Sequence, residues 1–158
     1  MASSQKNLSD YSSKNIQDIS NKKFAIVVSE WNDEVTEALY SGAYETLINN
    51  GADRNNIIRK NVPGSFELTL GAHWMAAEED IDAVICLGCV IQGETRHFDF
   101  ICDAVAQGIT HVNLKFAKPV IFGVLTTDNQ KQALDRAGGK HGNKGDEAAI
   151  TAIKMLGF

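Results

Sequence analysis

His97 closes the loop Gly88-Cys89-Val90-Ile91-Gln92-Gly93-Glu94-Thr95-Arg96 and opens the segment Phe98-Asp99-Phe100. An imidazole in the first turn of a helix can move protons near neutral pH. Thr95 can cap that helix or bind a phosphate oxygen, and the two glycines let backbone approach a ligand closely. The first amides of such a helix attract an anion. A capped helix with a surface histidine accounts for the same residues more simply, so the neighbourhood has to decide. Cys86 and Cys89 form a Cys-x-x-Cys, but three-residue spacing along a strand sends the two side chains to opposite faces. With Cys102 they read as buried thiols, since no second pair completes a zinc site. Gly138 to Gly145 is glycine-rich and basic, yet it lacks the Gly-x-x-x-x-Gly-Lys-Ser/Thr spacing of a phosphate loop.

The elements that must hold these residues alternate. Lys23 to Ser29 contains the run Phe24-Ala25-Ile26-Val27-Val28, the pattern of a strand buried on both faces. It exits at Trp31, a core aromatic or a stacking platform for a ligand. Asn32 is placed to cap a helix whose apolar positions run from Val35 to Leu47 and which Asn50-Gly51 stops. A strand over Asn56 to Val62 turns at Pro63-Gly64. Ser65 is placed to cap the next helix, Glu67 in its first turn suits the helix dipole, and His73 within it reads as structural. Ile81 to Leu87 is the third strand and Pro119 to Leu125 the fourth. Helices follow each, the last carrying Ala149, Ala152, Ile153 and Leu156. This order predicts an α/β protein, a three-layer α/β/α sandwich on a four-stranded, mainly parallel, flavodoxin-like sheet. Ligands then bind at the carboxyl ends of the strands. Trp31, the Pro63–Glu67 turn, the Gly88–His97 loop and the Thr126–Asp128 turn all fall at that edge, which favours an active site over a surface histidine.

A chain of 158 residues suits one domain. Residues 1–22 read as a flexible, polar N-terminal arm and residues 23–158 as the folded unit. The net charge of −5 leaves no basic stripe for nucleic acid. No apolar run reaches membrane length, and the polar N-terminus lacks the apolar centre of a signal peptide. The expected location is the cytoplasm.

Four stretches in this order resemble the lumazine synthase family: Val62-Pro63-Gly64-Ser65-Phe66-Glu67, the Gly-x-Val-Ile-x-Gly-x-Thr-x-His-Phe-Asp run, Phe122-Gly123-Val124-Leu125-Thr126, and Arg136-Ala137-Gly138-Gly139-Lys140 through Gly145 to Ala149. The resemblance runs from about Lys23 to the C-terminus. It implies condensation of 5-amino-6-(D-ribitylamino)uracil with 3,4-dihydroxy-2-butanone 4-phosphate to 6,7-dimethyl-8-ribityllumazine. Phosphate and water leave, and no metal or organic cofactor takes part. By resemblance, Trp31 stacks on the pyrimidine, and Ser65, Phe66 and Glu67 bind the ribityl chain. Cys89, Val90 and Ile91 offer backbone groups to the uracil edge. Gly93, Glu94 and Thr95 cradle the phosphate, His97 shuttles protons, and Arg136 grips phosphate as a planar fork, with Lys140 a weaker candidate. Phe122 closes over the ring. The resemblance further implies a homopentamer whose active sites lie between neighbours, Phe122 and Arg136 reaching the next subunit's Trp31 and His97. The short Gly138–Gly145 link implies assembly of pentamers into a sixty-subunit icosahedral shell, with riboflavin synthase a candidate partner.

Gln92 departs from the arginine frequent in the family, which implies altered local charge with activity kept. The Glu94 carboxylate would repel a phosphate, so its amide is expected to bind while the side chain faces solvent. Two other readings compete: a non-catalytic flavin or ligand binder of the same fold, and a shell-forming protein without chemistry. A related riboflavin synthase of the same fold is a third. The joint presence of His97, Arg136, Glu67 and both aromatics weighs against the first two, and the Val-Pro-Gly-Ser-Phe-Glu and Gly-Asn-Lys-Gly motifs against the third.

Overall fold

The computed structural model describes residues 17–158. Strand β1 (Phe24–Ser29) is buried at every position, as an apolar run without alternation requires of a strand covered on both faces. It leads into α1 (Asp33–Asn49), and then β2 (Ile57–Val62), α2 (Leu68–Ala77), β3 (Ala83–Ile91), α3 (His97–Phe116) and β4 (Val120–Thr127) follow. The chain ends with a short α4 (Gln130–Leu134), a small hairpin of β5 (Ala137–Gly139) and β6 (Gly142–Asn143), and α5 (Lys144–Leu156).

The four long strands are all parallel in the order β2-β1-β3-β4. Helices α1 and α5 cover one face and α2 and α3 the other. This is the three-layer, flavodoxin-like arrangement that the alternation predicts. Each face has its own core. Phe24, Ile26, Ile85 and Leu87 meet Leu39, Leu47, Ile150 and Ile153 on one side, while Val27, Val84 and Cys86 meet Leu68, Val105 and Ile109 on the other. Cys86 and Cys89 accordingly lie in different cores, as their spacing requires.

Several local expectations change. Asn32 precedes α1, but its side chain makes no capping bond and its backbone is left-handed, φ 62°. Ser65 starts a 3₁₀ turn, Ser65–Glu67, and its hydroxyl is buried without a hydrogen-bond partner, so it caps nothing. The link from Gly138 to Gly145 contains an antiparallel hairpin because Gly138 and Gly142 adopt positive φ. Cys102 is only partly buried, since α3 turns that position toward the helix flank. The packed chain also reaches back beyond Lys23: Ile19 is fully buried in the α1/α5 core, and Lys22 pairs with Asp82 at 3.2 Å. The rest of the expected arm, residues 1–16, lies outside the described residues. No helix among the described residues is long and apolar enough to cross a membrane.

Candidate active site

The order β2-β1-β3-β4 places a topological switch between β1 and β3. The chain leaves β1 toward β2 on one side, and β3 continues outward on the other. Diverging connections leave a crevice at the strands' carboxyl ends. Beyond β1 the chain is laced to the chain beyond β2: the Glu30 N–H donates to the Val62 carbonyl at 2.8 Å and the Trp31 N–H to the Pro63 carbonyl at 3.2 Å. A cavity of about 690 Å³ opens there, lined by Trp31 and Asn32, Gly64 to Glu67, Cys89 to Ile91, and His97 with Ile101 from α3. Its size suits a small organic ligand.

Trp31 and Phe66 stand well out of the protein, 72% and 56% exposed, at the rim of this crevice. Large exposed aromatics at the rim of a mostly apolar cleft are unusual on a folded surface and fit a face that something else covers. Cys89 to Ile91 bring the end of β3 into the lining. Strand β3 runs past the end of β1, so the polar edge of Cys89 to Ile91 is not taken up by that neighbour. One group there is already engaged, because Asn32 Nδ2 donates to the Cys89 carbonyl at 2.9 Å.

His97 begins α3 and is exposed to the cavity. The helix has no side-chain cap at Arg96; the Thr95 hydroxyl instead accepts a long 3.4 Å hydrogen bond from the His97 N–H. The Asp99 and Phe100 N–H groups donate to the Arg96 carbonyl at 3.1 and 3.5 Å, so most first-turn amides are met locally, and what the start of this 20-residue helix offers an anion is chiefly its dipole. Glu94 and Thr95 are exposed on the loop between Ile91 and His97 but do not line the cavity themselves. Burial pushes the Cys86 thiol up to about 12 and the Cys89 thiol up to about 11, so neither offers a thiolate near neutral pH.

Phe122 and Arg136 are not in this cavity. They line a second one, about 380 Å³, alongside β4 with Thr126, Thr127, His141, Lys144 and Glu147. Within one chain, the expected site residues that line a cavity therefore fall into two groups, with Glu94 and Thr95 in neither. The Arg136 Nη1 donates to the Gln132 carbonyl at 3.0 Å. Lys144 and the buried Glu147 pair at 3.0 Å. Lys140 is exposed and lines neither cavity. Among the lining residues, Asn32 and Ile101 escaped the sequence reading of the first cavity, and His141, Lys144 and Glu147 that of the second. Asn32 reads as a helix cap from its position alone. Lys144 and Glu147 carry the one available signal, an i,i+3 charge pair opening a helix.

Fold and cleft together define a parallel α/β protein with a ligand site at the switch point of a flavodoxin-like sheet. The model of the 6,7-dimethyl-8-ribityllumazine synthase family matches residues 21–158. The chain is 70% identical over 156 residues to a 6,7-dimethyl-8-ribityllumazine synthase of Cytophaga hutchinsonii, covering 99% of this chain and 98% of that protein. A Parabacteroides distasonis protein of the same name is 54% identical, covering 100% and 99%, and one from Porphyromonas gingivalis 51%, covering 100% and 98%. The chain belongs to the 6,7-dimethyl-8-ribityllumazine synthase family.

Proposed function

We propose that this protein condenses 5-amino-6-(D-ribitylamino)uracil with 3,4-dihydroxy-2-butanone 4-phosphate to 6,7-dimethyl-8-ribityllumazine, with phosphate and water released. The observation that carries the reading is the cleft itself, which gathers Trp31, Phe66, Glu67, the β3 edge and His97 in a member of this family.

Each part of the reaction finds a group suited to it. A planar pyrimidine stacks on Trp31, and its hydrogen-bonding edge meets backbone of Cys89 to Ile91. The ribityl hydroxyls meet the Ser65–Glu67 turn, where the exposed Glu67 carboxylate accepts hydrogen bonds. The butanone phosphate sits against Gly93, Glu94 and Thr95 at the start of α3, where the amides bind it and the Glu94 carboxylate turns to solvent. Addition of an amine to a ketone, loss of water and elimination of phosphate all need protons moved. His97, one turn from that phosphate, is the group that moves them.

Arg136 and Phe122 complete the site from a second copy of the chain. Support comes from their location: both lie in the β4 cavity, apart from His97 and Trp31, and Phe122 is 38% exposed on a sheet edge. Leu70, Phe100 and Leu114 give α2 and α3 an outer face that is apolar and exposed, which fits burial in a homo-oligomer. The reading extends to a pentamer with shared sites, to a sixty-subunit shell favoured by the short hairpin link, to a cytoplasmic location, and to riboflavin synthase as a partner.

The test is to mix the purified protein with both substrates and follow the lumazine chromophore and free phosphate together. Their joint appearance is expected. Pyrimidine binding without turnover would favour a non-catalytic binder or shell protein instead.

A further inference from the structure

The strands that frame the crevice do not end level. The β1–β3 ladder closes at Val28 opposite Leu87, whereas β3 runs on to Ile91 with β4 as its partner. Past Leu87, the edge of β3 that faces β1 has lost its neighbouring strand. Asn32 supplies the missing rung, its Nδ2 donating to the Cys89 carbonyl at 2.9 Å.

To reach that carbonyl the residue stands at φ 62° and ψ 49°. Side chains rarely occupy this left-handed region, and asparagine is among the few that do so readily. Helix capping does not explain the arrangement. The Asn32 carbonyl accepts the Val35 and Thr36 N–H groups at 2.9 and 3.0 Å, but its side chain makes no bond to the helix. An unusual backbone conformation at a cleft, held by one side-chain bond across it, points to a role in the cleft.

The adjoining residue is Trp31. Its N–H is fixed to the Pro63 carbonyl at the end of β2. With Asn32 tied to Cys89 at the end of β3, the backbone carrying the indole is fastened on both flanks. The indole itself is 72% exposed, so its direction is set by that backbone more than by packing.

We propose that Asn32 is the positioning residue for Trp31: its side chain extends the β1–β3 ladder by one rung and so aims the indole over the cavity. It also takes up the Cys89 carbonyl. Strand alternation presents the Ile91 backbone on the same edge, two residues further on, and leaves it to read the rim of a flat heterocycle. This inference rests on the reading that the cavity binds the pyrimidine.

The test uses the full chain carrying Trp74→Phe, which leaves Trp31 as the only tryptophan of the two. The pyrimidine substrate alone is titrated while Trp31 fluorescence is followed, and KM for each substrate is measured separately. Asn32→Gly tolerates the left-handed backbone but lacks the amide. Asn32→Asp keeps the shape but sets a carboxylate against a carbonyl.

Both variants are expected to weaken pyrimidine binding by about tenfold and to lose most of the Trp31 quenching. KM for the butanone phosphate should stay within about twofold of the parent, a change smaller than half a typical hydrogen bond. Parent-like titration and quenching in both variants would overturn the positioning role while leaving the functional reading intact. A parent protein that neither quenches with the pyrimidine nor turns over would instead overturn the functional reading, and this inference with it.

Discussion

Gly88 lies directly beneath Ser65: a methyl group on Gly88 would stand 2.7 Å from the Ser65 hydroxyl oxygen and 2.8 Å from Leu68 Cδ1. The third strand and the Ser65–Glu67 turn therefore touch through the absence of a side chain. That contact sets how close the Ser65–Glu67 turn comes to β3. Gly88→Ala must turn the Ser65 hydroxyl aside and shift the buried Leu68 side chain, and overpacking of this kind typically costs about 1–3 kcal/mol. We expect a lower denaturant midpoint together with a raised KM for the pyrimidine. A variant with unchanged midpoint and KM would show that the turn yields freely.

His97→Ala should slow turnover by about a hundredfold or more, the usual range for a lost proton-transfer group. Binding of the pyrimidine and the oligomeric state should stay as they are, because His97 is exposed and its side chain packs into neither core. Single-turnover rates and equilibrium binding measured on the same preparation separate the two effects. Turnover equal to the parent would remove His97 from the chemistry.

Much of this was legible in the sequence because apolar runs and glycine stops report strongly on buried parallel strands. Phe24 to Val28 could hardly be anything else. Legibility failed where a residue's backbone mattered more than its type. Asn32 and Ser65 are good capping residues at helix starts, yet one spends its side chain on a strand and the other is buried without a partner. Spacing cannot show this, since both outcomes use the same residue at the same position. The separation of Phe122 and Arg136 from Trp31 and His97 was likewise invisible to the alternation alone. Arg136 and His97 follow carboxyl-end loops alike, and only the strand order puts β4 outermost. The expectation that these residues act from a neighbouring subunit came from the family resemblance alone.

Arg136→Ala should weaken the butanone phosphate by about tenfold, as loss of a charge-assisted contact does, with a smaller effect on the pyrimidine. In the structure one guanidinium nitrogen is held by the Gln132 carbonyl, which aims the fork and leaves its other donors for a ligand. Steady-state KM for each substrate, with the other saturating, makes the comparison. Equal losses for both would mark Arg136 as a structural residue of the hairpin.

Asp146 offers a prediction about pH. It sits in the first turn of α5, half-buried against α1, and burial pushes its carboxyl above the ordinary value of 3.8, with Glu45 nearby adding to the shift. A carboxyl raised in the folded state binds its proton more tightly there than in the unfolded chain. Its favourable contribution is therefore fully present below 3.8 and is lost as pH rises through the raised value. At neutral pH the wild-type protein keeps a poorly solvated charge that Asp146→Asn lacks. The N-terminal end of α5 favours the carboxylate and works against this, by about 0.3–1 kcal/mol at exposed sites and up to about 2 kcal/mol at partly buried ones, yet the net shift of Asp146 is upward. We expect Asp146→Asn to melt above the wild type at pH 7 and the gap to shrink as pH falls toward the ordinary carboxyl range. Melting curves of both proteins across that range decide the matter. A gap that widens on acidification would mean that the ionised form of Asp146, and not its neutral form, is the one the α1–α5 contact stabilises.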